Sequence, residues 1–133
     1  MTTVPGDRDL CAGIVLGVLH TRSSVRAGML FVEWLRSNGG RATQKEMSRF
    51  ADELKLGSRG VKFGRPAFYR DILNVFKDCG LVELAPSYDK RSRKVVKEYR
   101  RIVQPIAKRR PSGPSLMYNA HMLAEKWNTY FGE

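Results

Sequence analysis

The stretch 64–103 constrains the fold more than any other, because a helix start, a helix stop and two strand signals follow one another there without interruption. Arg65-Pro66 opens a helix: proline fits a first helical turn, where its missing N–H would have no partner. Phe68, Ile72, Val75 and Phe76 recur at helical spacing and predict the inward stripe. Tyr69, Arg70, Asn74 and Lys77 fall largely off that stripe and face outward. Gly80 closes the helix, since glycine readily takes the left-handed backbone that follows a last helical residue. Residues 81–84 then read as a short strand, 86–89 as a turn and 95–103 as a returning strand. On that second strand Val95, Lys97, Tyr99, Arg101 and Val103 share one face, and Val96, Glu98, Arg100 and Ile102 the other. Lys90, Arg91, Arg93 and Lys94 crowd the tip. The expected unit is a helix with a positive outer face running into a basic hairpin.

The same stretch holds nearly all of the excess charge. The 133 residues carry 24 Lys and Arg against 13 Asp and Glu, a net charge of +11 with a pI near 10.1. Residues 58–110 hold fifteen of the basic and five of the acidic side chains, whereas 1–57 hold eight against six and 111–133 one against two. Such a balance implies attraction to a polyanion: DNA, RNA or an anionic membrane surface. Clustering on one predicted helix and hairpin fits a binding surface better than a coat of charge kept for solubility. A hydrophobic content of 42% is ordinary for a folded protein, so a single domain over 1–133 is expected.

The flanking segments supply the rest of the core. After a loose tail at 1–6, an acidic start at Asp7 or Asp9 leads into an apolar helix over about 9–20, buried on most sides. Thr21 to Ser24 make a turn and cap. The next helix runs to about Arg36, with Val25, Met29, Val32 and Leu35 on one stripe and Phe31 and Trp34 widening it. Thr43 and Glu46 form a capping box ahead of Met47, Phe50, Ala51 and Leu54. A connection of about ten residues follows, with Gly57, Gly60 and Gly64 among Lys55, Arg59 and Lys62. It serves either as a glycine-rich loop closing on phosphate through Arg59 and Lys62, or as a plain surface connector. Residues 104–114, with three prolines and Lys108-Arg109-Arg110, read as a linker. A last helix spans about 115–131, its stripe of Leu116, Ala120, Leu123, Trp127 and Tyr130 or Phe131 covering either the core or a second copy.

The order helix, capped helix, helix and hairpin over about 25–103, with the Cys79-Gly80-Leu81-Val82 exit and the basic tip, resembles winged helix-turn-helix DNA-binding proteins, particularly small regulators of archaeal type. The long connection departs from the three or four residues of the compact motif. The resemblance implies a mainly α fold with a small β-hairpin (α+β), its winged-helix core at about 22–103 flanked by N- and C-terminal helices. It implies double-stranded DNA as the partner and transcription regulation as a homodimer joined through the C-terminal helix, the N-terminal helix or both; no cofactor is expected, since no cofactor motif occurs in the sequence. On the third helix it places Tyr69, Arg70, Asn74 and Lys77 toward the major groove, where Arg and Lys meet guanine and Asn meets adenine. Arg65 falls to a phosphate, and Lys90, Arg91, Arg93 and Lys94 of the wing to phosphates or the minor groove.

Other chemistries find little support. His20 and His121 have no cysteine, aspartate or histidine at metal-ligand spacing, and no paired-carboxylate pattern occurs, so neither catalytic nor metal residues are expected. The main alternative is an RNA-binding winged helix of ribosomal-protein type, for which the basic glycine loop suits folded RNA. A nucleoid or plasmid-partition protein would have the same sequence features, and a winged helix docking a protein partner fits the charge less well. The apolar run 10–19 is too short to span a bilayer, and Asp7 and Asp9 precede it where a signal peptide would be basic. A cytoplasmic, nucleoid-associated protein is therefore expected, with Cys11 and Cys79 reduced and buried.

Overall fold

The computed structural model describes residues 6–113 and 115–133; residues 1–5, most of the expected tail, and Pro114 of the linker lie outside the described residues. The fold is α+β, with helices packed around a small three-stranded antiparallel sheet of order β1-β3-β2. The elements run α1 (Asp7–Val18), α2 (Arg22–Ser37), β1 (Arg41–Thr43) and α3 (Gln44–Leu56). Then come α4 (Arg65–Phe68), a π turn (Tyr69–Leu73) and α5 (Asn74–Asp78), which together make one third helix. β2 (Val82–Asp89), β3 (Lys94–Arg101) and α6 (Leu116–Tyr130) complete the chain.

Polar caps set the helix starts. Thr21 accepts from the Ser24 N–H at α2, and Ser115 from the Tyr118 N–H at α6. At α3 the expected capping box is complete: Thr43 Oγ1 accepts from the Glu46 N–H at 3.1 Å, and the Glu46 carboxylate accepts from the Thr43 N–H at 3.0 Å. The third helix departs from a plain α-helix at the π turn, where the Asn74 N–H reaches back to Tyr69 O. The wider turn adds a residue per repeat and brings Leu73 under the helix beside Ile72, so both are buried while Val75 is only half-buried. A strict 3.6-residue period places Val75 inward, where it packs half-buried against the core, but leaves Leu73 out, so the sequence stripe misses Leu73.

The sheet differs from expectation in two ways. β1 is absent from the sequence reading: three residues are too few to show a period, yet Ala42 is buried opposite Tyr99 of β3. The hairpin is also longer on its first arm. Residues 86–89, expected as a turn, continue β2 in register with β3, Pro86 opposite Lys97 and Asp89 opposite Lys94. β2 is an edge strand, where a proline lacking its N–H does not break the ladder. The turn falls at 90–93. Asp89 organises it by accepting from the Arg91 N–H and the Ser92 hydroxyl, both at 3.0 Å, and Arg93 takes the left-handed position with φ 55°. β3 stops at Arg101, two residues short of the expected end, and the Ile102 N–H bonds Leu81 O instead.

One buried cluster draws on every helix. Phe31 of α2 sits at its centre, 6.2 Å from Phe50, 5.6 Å from Phe68 and 5.4 Å from Phe76, measured between ring centroids. Trp127 of α6 extends the cluster from Phe76, and its indole N–H donates to Ile102 O at 3.0 Å. The 104–113 segment has no helix or strand, as expected, but it is tied down. The Gln104 N–H donates to Asn128 Oδ1 and Asn128 Nδ2 donates to Gln104 O, each at 2.8 Å. Two further expectations are corrected. α1 is buried on one side only, since Leu16 is 61% exposed. Cys79 is exposed at the end of the third helix rather than buried, and both thiols are free.

Burial pushes the Cys11 thiol from its ordinary 9.0 up to about 11, with Glu33 adding to the effect, and pushes Tyr130 from 10.0 up to about 12. The folded state therefore holds these protons more tightly than the unfolded chain. Their contribution to stability is complete below about pH 9 and declines as pH rises through the folded values. Urea midpoints should accordingly fall between about pH 9 and 12, and Tyr130→Phe should shallow the decline; an unchanged slope would show that Tyr130 does not titrate with unfolding.

Candidate nucleic-acid interface

The third helix and the hairpin carry the sequence-predicted residues, and the structure sorts them by whether their charge is already matched. Arg65 is engaged: its guanidinium donates to Ser48 O at 3.0 Å, Ser48 Oγ at 2.8 Å and Asp52 Oδ1 at 3.0 Å. It also lies over the Tyr69 ring, 5.3 Å from the centroid. This arginine clasps the start of α4 to α3, so most of its donors face protein. Arg59 is engaged too, 2.7 Å from Glu53 and over the Phe50 ring, which ties the glycine-rich connection to α3. Lys62 of the same connection is exposed.

On the helix itself, Arg70 and Asn74 are exposed one turn apart, while Tyr69 and Lys77 are half-buried, Tyr69 packing on the core. Arg70 makes a two-pronged pair with the neighbouring Asp71, at 2.8 and 3.0 Å. That pairing holds the Asp71 carboxyl below its ordinary range, so both groups stay charged. With Asp71 and Asp78 beside Arg65, Arg70 and Lys77, the outer face of this helix is only weakly positive.

The hairpin is different. Lys90, Arg91, Arg93 and Lys94 are exposed, and among the described residues none forms a salt bridge. The one nearby acid, Asp89, is held ionised below its ordinary range by the Arg91 N–H and the Ser92 hydroxyl, and works as the brace of the turn. The continuous register puts Val82, Leu84, Pro86 and Tyr88 on one face with Arg101, Tyr99, Lys97 and Val95. At the base of that face Val82 and Tyr99 are buried against the core; at its far end Tyr88 and Val95 stand in solvent. The hairpin thus overhangs the body of the protein and carries its cations outward.

Two residues extend this surface beyond the predicted set. Lys97 shares the overhanging face, and Lys45, in the first turn of α3, lines a cleft with Thr43, Gln44, Asp89, Val96 and Lys97. The strand alternation already pointed to Lys97. Nothing in the sequence brings Lys45 to the hairpin, because its approach depends on β1 pairing with β3.

No protein-family model, curated protein or solved structure matches this chain. Among the described residues no three His, Cys, Asp or Glu side chains gather as metal ligands, and no helix is long and apolar enough to cross a membrane. His121 is buried and bonds Glu125 at 2.7 Å, and Glu125 in turn accepts from Arg110.

The contrast between matched and unmatched arginines is measurable in the isolated protein. Arg65→Ala strands two Ser48 acceptors and should cost about 1 kcal/mol in urea unfolding, whereas Arg91→Ala should change stability by less than about 0.5 kcal/mol. Equal effects would mean that Arg65 is not a clasp.

Proposed function

We propose that this chain is a winged-helix protein that binds double-stranded DNA, the hairpin acting as the wing and the third helix entering the major groove. The observation that carries the reading is the hairpin: five cations within 90–97, none salt-bridged among the described residues, on an arm that projects past the core. The element order α2, β1, α3, third helix, β2, β3 supports the same reading. Roles divide by charge matching. Lys90, Arg91, Arg93, Lys94 and Lys97 neutralise phosphates and supply most of the affinity. Asn74 and Lys77 meet base edges, and Arg70 joins them when it leaves Asp71 for a guanine. Arg65 and Arg59 hold the scaffold. With few unmatched readers on the helix, affinity rests more on the backbone than on sequence, which suits a regulator that searches along DNA as well as a nucleoid-associated protein.

The test is fluorescence anisotropy with a random 30-mer duplex, structured RNA and single strands across a salt series. Duplex preference with a steep salt dependence supports the reading; tighter binding to RNA moves the protein to the ribosomal-type alternative, and no binding to any of them refutes it. Arg91→Ala/Arg93→Ala should weaken all duplexes alike and lower the log–log salt slope by about 2. Asn74→Ala should instead narrow the gap between a selected site and random DNA; equal loss on both would remove Asn74 as a reader.

The active form we propose is a homodimer joined through α1 and α6. Leu116, 89% exposed, borders a groove that it lines with Gly13, Gly17, Asn119, Ala120, Leu123 and Lys126, and Leu16 of α1 is 61% exposed. One patch thus holds both projecting side chains and a hollow, as a two-fold interface requires. Residues 111–133 contribute one basic and two acidic side chains, so two copies meet there with little repulsion. Light scattering should give twice 15.1 kDa for the wild type and 15.1 kDa for Leu116→Lys; a monomeric wild type would refute the dimer.

A further inference from the structure

The far end of the hairpin holds an apolar group that phosphate binding does not use. Tyr88 and Val95 are cross-strand partners, 62% and 70% exposed, with Pro86 next to Tyr88 on the same face. A tyrosine kept to stabilise a sheet would lie against buried neighbours; here the partner is itself in solvent, and the first buried residue of the face, Tyr99, is four residues from Val95. At about 3.4 Å per residue the ring stands roughly 14 Å beyond Tyr99. Lys97 lies diagonally across from it on its own face, and Lys90, Arg91, Arg93 and Lys94 surround the turn. Any polyanion drawn to those cations brings its bases to an uncovered aromatic ring. The face continues inward to Tyr99, which is buried against the core, so the ring stands on the outer end of an anchored strand pair.

We infer that Tyr88, backed by Val95 and Pro86, is a stacking site for a nucleobase displaced from the duplex, so that the hairpin binds best where a base step opens readily. The inference rests on the proposal that duplex DNA is the ligand. An apolar side chain inserted at a base step must offset the cost of unstacking, and that cost is least at a mismatch, whose base is already loosely held. A lysine- and arginine-ringed tip without an aromatic would bind paired and mismatched duplexes alike, because both present the same phosphates. Aromatic stacking is indifferent to base identity, so the site selects deformable DNA rather than a sequence.

The experiment compares affinity for two 30-mer duplexes that differ by one central mismatch, at a fixed salt concentration. For the wild type we expect a preference of about tenfold for the mismatched duplex, of the order given by one base stacked on one aromatic ring. Tyr88→Ala should lose that preference while keeping its affinity for the paired duplex within about threefold, and Tyr88→Phe should retain it. A 2-aminopurine placed at the mismatch should change its fluorescence on binding wild type and Tyr88→Phe but not Tyr88→Ala. Paired-duplex binding with no mismatch preference in the wild type, or the same preference in Tyr88→Ala, would overturn the stacking site and leave duplex binding intact. Loss of all duplex binding by the wild type would overturn both together.

Discussion

The contact of Phe31 with Phe50, Phe68 and Phe76 is the one on which the rest depends. Each ring comes from a different element, so a single side chain fixes α2 against α3 and against both ends of the third helix. Edge-on and tilted aromatic pairs of this kind have preferred geometries, which restrict angles as well as distances. The long connection between α3 and the third helix therefore does not leave their relative placement free. Arg65 and Arg59 tighten the same junction from outside, and Trp127 carries the cluster across to α6 and the end of the hairpin.

From that core the hairpin projects as a lever whose base is buried and whose end is not. Its two ends have different work. Val82 and Tyr99 anchor it, while among the described residues the cations of 90–97 form no salt bridge. On the third helix Arg65 and Arg70 are paired with Asp52 and Asp71, while Asn74 is exposed and Lys77 forms no salt bridge among the described residues.

Much of the fold was legible because local signals were strong. Thr43 and Glu46 announced α3, Ser115 and the apolar spacing announced α6, and Arg65-Pro66 with Gly80 bracketed the third helix within a residue or two. What stayed hidden depends on long-range pairing. β1 is a strand only because Ala42 meets Tyr99, some 57 positions later in the chain. Residues 86–89 carry turn-forming Pro, Ser and Asp, yet the register with β3 pulls them into the ladder and moves the turn to 90–93. The π turn adds Leu73 to the buried stripe, because helical spacing alone cannot reveal an inserted residue. The candidate site was legible as residue types and as a charge cluster. Which arginines are matched was not, since Ser48, Asp52 and Glu53 reach Arg65 and Arg59 only through the packing of α3.

The most direct test of the interface is a ¹⁵N-resolved NMR titration of the full chain with an unlabelled duplex. The account predicts the largest amide shifts within 90–97, a second group at Arg70, Asn74 and Lys77, and little change along α1 and α6. Shifts confined to 104–113 or to α1 and α6, with the hairpin silent, would contradict it.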